Sequence, residues 1–173
     1  HSRFLTRTNR RVGRVDQLGS QAAGEGVRKG VFKEAVILQM TWPCAPTIYY
    51  GDEAGVCGFT DPDNRRTYPC GREDLDLLEF HRQMIRIHKE HRVLTYGSLK
   101  FLYEEHNILC YGRFDREEQV IVLLNNREGR EVVDIPVWEI GVGACSVARR
   151  MMMSWEESFS LEEIEYYAGG GKM

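Results

Sequence analysis

The chain has 173 residues, 42% of them hydrophobic and 28% charged, with a formal net charge of −3. That is an ordinary globular composition, large enough for one domain or two small ones. It argues against a general nucleic-acid binder, and no apolar run is long enough to span a membrane.

Residues 1–16 are polar, Arg-rich and without periodicity, and read as loop. Residues 1–30 are locally basic (Arg3, Arg7, Arg10, Arg11, Arg14, Arg28 and Lys29 against Asp16 and Glu25), which reads as a solvated surface. Nothing in the opening residues resembles a signal peptide. Residues 27–42 have helical spacing. Val31, Ala35, Leu38 and Trp42 form a stripe that Phe32 and Ile37 widen, and Pro43 ends it.

Thr47 to Tyr50 reads as a short strand without polar alternation, as expected where both faces are covered. Two prolines precede it, and Gly51-Asp52-Glu53 follows. Residues 51–72 form a loop rich in Gly, Asp, Asn, Arg and Pro, of a length that is usually functional or disordered. Residues 73–92 form the clearest helix, with Leu77, Phe80, Met84 and Ile87 on one face.

After Arg92 the period drops to two. Residues 99–103, 108–114 and 119–124 read as strands separated by polar turns, and Val132 to Ile135 continues the series. A boundary near residue 95 therefore separates a helix–strand–helix part (1–95) from a β-only part (96–173) that suggests an antiparallel sandwich. The first part is too short to cover a parallel strand on both faces. It reads as the end of a larger barrel.

Five cysteines (Cys44, Cys57, Cys70, Cys110, Cys145) with no Cys-x-x-Cys pair favour free thiols over a disulfide framework or a zinc site. A cytoplasmic location is the corresponding expectation.

A series of segments carries a family resemblance. Pro43-x-x-Pro46-x-Ile48-Tyr49-Tyr50-Gly51-Asp52-Glu53 is followed by Asp61-Pro62-Asp63-Asn64-Arg65-Arg66, and then by Ile85-Arg86-Ile87-His88-Lys89 with Gly97-Ser98. Together they resemble the C-terminal third of the α-amylase family of glycoside hydrolases, most closely its neopullulanase, cyclomaltodextrinase and maltogenic amylase branch. The resemblance implies that Thr47–Tyr50 is the last strand of a (β/α)8 barrel. Residues 51–72 become a loop over a sugar cleft, residues 73–92 the final barrel helix, and the β-only part an accessory sandwich.

It also implies a retaining mechanism, in which two carboxyls about 5–5.5 Å apart flank the scissile bond and a second Asp binds hydroxyls. The nucleophile and the acid belong to earlier strands. His1-Ser2-Arg3-Phe4 matches from the residue after the second Asp. Aligning His1 with the family His instead sets Ser2 at the catalytic position and spoils the spacing. On either alignment none of the three carboxylates lies in this sequence, so no catalytic residue is expected here. The chain alone is expected to be inactive.

Asp61 and Arg65 are the candidate sugar contacts: a carboxylate accepts from adjacent hydroxyls and a guanidinium donates in a fixed fork. The expected partner is an α-glucan oligosaccharide (malto-oligosaccharide, cyclodextrin or pullulan), with self-association left open for an intact parent. No nucleic acid, membrane, cofactor or metal is expected. A non-catalytic sugar-binding or interaction module is the alternative.

Asp52 and Glu53 are neighbours on an extended chain and point opposite ways, which is wrong for two groups flanking one bond; the resemblance implies a structural role, holding the loop after the last strand. Asp61-x-Asp63-x-Arg65 begins like a calcium loop, but Arg65 replaces a ligand. His81, His88 and His91 read as packing or surface groups. Gly169-Gly170-Gly171-Lys172 lacks the P-loop spacing, and Met151-Met152-Met153 reads as sandwich core. Cys44 stands where the family turn usually has Gly, so a positive φ there would strain it. Cys70 replaces a common aromatic.

Overall fold

The computed structural model describes residues 24, 26–58, 64–127, 131–143, 146–149 and 151. The readings placed on residues 1–16, on Asp61 and Asp63, on Cys145, on Met152–Met153 and on Gly169–Lys172 lie outside them. The chain divides between His91 and Arg92 into two compact units.

The first unit holds two helices, α1 (Lys29–Thr41) and α2 (Leu75–Glu90). α2 is amphipathic as its spacing predicts: Leu77, Phe80 and Met84 are buried, each contributing about 1.5–3 kcal/mol. Its start is set by Asp74, whose carboxylate accepts from the Leu77 amide at 3.2 Å, satisfying a donor of the first turn.

The contacts between the helices show that they run parallel. Lys29 pairs with Asp74 and Lys33 with Asp76 near the two starts. Near the two ends, His88 Nδ1 lies 2.7 Å from the Met40 carbonyl oxygen. Successive parallel helices require the chain to cross back between them, as in a βα repeat.

α1 buries a different face from the one expected. Val36 and Met40 are buried together with Glu34 and Thr41, while Ala35 is exposed and Val31 and Leu38 are half-buried. The helix is apolar around most of its circumference, so its period does not choose a face; packing against α2 does.

The expected strand at Thr47–Tyr50 does not form a ladder. A strand exists only through its paired neighbours, and among the described residues this unit contains no other strand.

The second unit begins with a short helix α3 (Val93–Tyr96), followed by β1 (Ser98–Glu105), β2 (Ile108–Phe114) and β3 (Gln119–Asn125). The three strands form one antiparallel sheet in the order β1-β2-β3, close to the bounds the alternation predicts. The β1–β2 turn places Asn107 at φ 63°, a left-handed position that asparagine tolerates.

Each face of β2 is covered differently. On one face Arg113 is fully buried and donates to Leu94 O (2.7 Å), Gly97 O (2.9 Å) and Ser98 O (3.4 Å), tying the end of α3 to the sheet. On the other face Cys110 and Leu102 meet Ile140, flanked by Phe114, Ile135 and Val142. Gly112 faces Ile140 so closely that a Cβ there would stand 2.7 Å from its Cδ1.

Two expectations for this unit are corrected. Val132–Ile135 is not a fourth strand: Val132 is 98% exposed, and after Pro136 the chain closes into a 3₁₀ turn (Val137–Ile140) that lays Ile140 on the sheet. The layer over the sheet, among the described residues, is therefore this turn and not a second sheet. Met151 is exposed, not core.

Candidate functional site

The Gly51-Asp52-Glu53 segment folds into consecutive tight turns. Asp52 N donates to Tyr49 O (3.1 Å), Ala54 N to Gly51 O (3.1 Å) and Val56 N to Gly51 O (2.9 Å). Gly51 sits at φ +87°, and a Cβ there would meet Val56 at 2.8 Å, so this position demands glycine twice over. Ala54 is buried, and its carbonyl accepts from Asp74 N (3.0 Å), which ties the turns to the start of α2.

The far side of the loop is fastened to the same place. Tyr50 donates its hydroxyl to Arg66 O at 2.9 Å. Asn64, Arg65 and Arg66 are thereby held near the Gly51–Gly55 turns, with Arg65 exposed and Asn64 and Arg66 half-buried. Of the two sequence-derived sugar contacts, Arg65 is thus located at the surface of an anchored loop, and Asp61 lies outside the described residues. The Tyr50 anchor has no signature in the sequence, because its partner is a backbone carbonyl sixteen residues away.

The acidic pair is unequal. Burial pushes the Asp52 carboxyl above the ordinary carboxylate range, with the nearby charge of His81 opposing. Glu53 Oε2 and Asn64 Oδ1 are enclosed and lack a hydrogen-bond partner among the described residues. Asp74, although partly desolvated, is held below its ordinary range by Lys29 and the Leu77 amide.

The histidines do packing and bonding work. His81 is buried, with Nδ1 2.7 Å from Leu77 O and its ring 5.9 Å from that of Phe32. Bonded to carbonyl oxygens, Nδ1 is the protonated nitrogen of both His81 and His88. Among the described residues no group of His, Cys, Asp and Glu is arranged to hold a metal.

The departures from the family pattern lie in relaxed positions. Among the described residues Asn107 is the one non-glycine at positive φ, so Cys44 carries none of the strain expected of it. Cys44 and Cys70 are exposed free thiols; Cys57 is half-buried and its thiol is pushed up by burial.

An amylopullulanase of Thermoanaerobacter thermohydrosulfuricus is 50% identical over 94 residues, covering 54% of this chain and 6% of that protein. Neopullulanase 2 of Thermoactinomyces vulgaris is 35% identical over 120 residues, covering 67% of this chain and 20% of that one. Among solved structures, a maltogenic amylase from S. marinus superposes with a TM-score of 0.57 at 35% identity, over 62% of this chain and 16% of that chain.

Part of the chain is homologous to glycoside hydrolases of the α-amylase family. No family model matches it. The chain spans a twenty-fifth to a fifth of the length of the curated relatives it matches, from 4% to 20%. Among the described residues no helix is long and apolar enough to cross a membrane.

Proposed function

We propose that this chain is the last α-helical repeat and accessory β-unit of a retaining α-glucan hydrolase. In that reading the intact parent cleaves α-glucosidic bonds of malto-oligosaccharides, cyclodextrins or pullulan. The observation that carries the reading is the anchored loop between two parallel helices, in a chain that is 50% identical over 94 residues to an amylopullulanase. Thr47–Tyr50 is then the final barrel strand, whose ladder partners belong to earlier repeats. The fold is the end of a (β/α)8 barrel followed by a β-domain.

Asp61 and Arg65 serve as sugar contacts on the loop over the cleft. Hydrolysis needs an acid with a raised pKa and an ionised nucleophile on opposite sides of one bond. Asp52 and Glu53 do not supply that pair: the first sits in a tight turn against α2 and the second is its chain neighbour. The 173-residue chain by itself is therefore expected to be inactive.

Two assays test this. The purified chain, given a chromogenic maltoside, should release no product above buffer; measurable turnover sinks the assignment. Maltotriose titrated calorimetrically, with Asp61→Ala and Arg65→Ala as controls, tests the sugar contacts. Saturable binding lost in both variants favours the non-catalytic sugar-binding module as the role of the isolated chain.

A further inference from the structure

Tyr50 stands on a fixed base. Its neighbour Gly51 opens the tight turns: Gly51 O accepts from both Ala54 N and Val56 N, and Ala54 O accepts from Asp74 N at the start of α2. The Tyr50 ring is braced by that of Tyr49, with centroids 4.9 Å apart and planes at 42°. From this base the Tyr50 hydroxyl reaches Arg66 O, 2.9 Å away and sixteen residues along the chain.

The return limb of the loop is held by turns of its own. Cys70 N donates to Tyr68 O, Arg72 N to Pro69 O and Gly71 N to the Glu73 carboxylate, which brings the chain to Asp74. Arg65, exposed, is one residue from the carbonyl that Tyr50 holds. An arginine side chain carries much rotamer freedom, and a ligand must order whatever part of it, and of the backbone beneath it, is not already fixed.

We infer that Tyr50 is a positioning residue for Arg65. Its hydroxyl, by holding the Arg66 carbonyl, fixes in advance the backbone from which the Arg65 guanidinium meets the hydroxyls of an α-glucan. This rests on the reading of Arg65 as a sugar contact. A purely structural Tyr50 would behave differently: loss of its hydroxyl would weaken the fold to the same extent with or without Arg65, and would leave sugar affinity alone.

A double-mutant cycle on the full 173-residue chain separates the two. Maltotriose is titrated calorimetrically into the unaltered chain, Tyr50→Phe, Arg65→Ala and the double variant. Tyr50→Phe removes the hydroxyl and keeps the ring; it should raise Kd about three- to tenfold, the range of one hydrogen bond. Arg65→Ala should raise Kd further, and adding Tyr50→Phe to it should then change nothing, because both act through one contact. A Kd that Tyr50→Phe leaves unchanged while Arg65→Ala raises it overturns the inference and leaves the Arg65 reading standing. So does an equal penalty for Tyr50→Phe in both backgrounds. An unaltered chain that shows no saturable binding, or binding that Arg65→Ala does not weaken, sinks the Arg65 reading and the inference with it. Amide exchange on the unaltered chain needs no variant to fold: saturating maltotriose should slow the peptide covering residues 64–68 and leave residues 77–84 of α2 unchanged. No slowing at residues 64–68 overturns the inference.

Discussion

Glu34 is the residue whose placement the rest of the unit has to tolerate. Only 8% exposed on α1, its carboxyl is pushed up to about 7 by burial, with the Arg28 charge opposing. Below the unfolded value near 4.5 the group is neutral in both states and costs nothing; as pH rises toward 7 the folded state resists losing the proton that the unfolded chain gives up. Stability from this group is therefore present in mild acid and lost through neutrality. Glu34→Gln should raise the thermal midpoint at pH 8, by a stabilisation of ~1–3 kcal/mol, and change it little at pH 4. A constant difference across that window, read by calorimetry, rejects this account.

The thiols offer a second residue-scale check. Burial drives Cys110 up to about 12, while Cys44 and Cys70 are exposed. A thiol reagent at pH 8 should label Cys44 and Cys70 rapidly in the native chain and Cys110 only on unfolding, since the thiolate is the reactive form. Mapping by peptide mass spectrometry decides it. None of this was legible beforehand: cysteine count and spacing favour free thiols over a disulfide framework but do not rank them by burial.

At the scale of elements, the beginning of α2 and the end of α3 depend on single side chains. Asp74 caps α2 and pairs with Lys29 of α1. The cap is worth about 1 kcal/mol and the exposed ion pair less. Asp74→Ala should lower stability by ~1–2 kcal/mol in a denaturant titration, and Lys29→Ala by under ~1 kcal/mol. Arg113 is in a different class. Removing it leaves the carbonyls of Leu94, Gly97 and Ser98 without this donor and a cavity in the core. Arg113→Ala should cost at least ~3 kcal/mol. Arg113→Lys should recover only part of that, since one ammonium does not reproduce the fork. Full recovery by lysine, measured the same way, contradicts the three-carbonyl account.

For the whole molecule, the governing fact is that the chain spans only 4% to 20% of the lengths of the matched relatives. α1 is apolar on sides that α2 does not cover, and the Thr47–Tyr50 segment has no ladder neighbour among the described residues. In the proposed parent both would be covered by earlier barrel repeats. In that proposed parent the catalytic carboxylates would belong to those repeats as well, which is why no turnover is expected of this chain. Polypeptide supplying the earlier repeats of a related barrel, added to it, should restore maltoside hydrolysis if the missing strands are all that activity lacks; absence of any rescue by well-folded repeats counts against the barrel reading.

By itself the sequence determined the local things: where α2 and the three strands lie, and which family the Pro43–Glu53 and Asp61–Arg66 segments resemble. Those follow from periodicity, turn chemistry and motif, all of which act over a few residues. Only the tertiary structure decided which face of α1 is buried, that Thr47–Tyr50 forms no ladder among the described residues and that residues 137–140 close as a 3₁₀ turn. It also decided that Tyr50 ties the loop to Arg66. Each of these depends on a partner distant in the chain. A helix apolar all round carries no face preference of its own, and a strand is not a property of a segment but of the neighbour that accepts its hydrogen bonds.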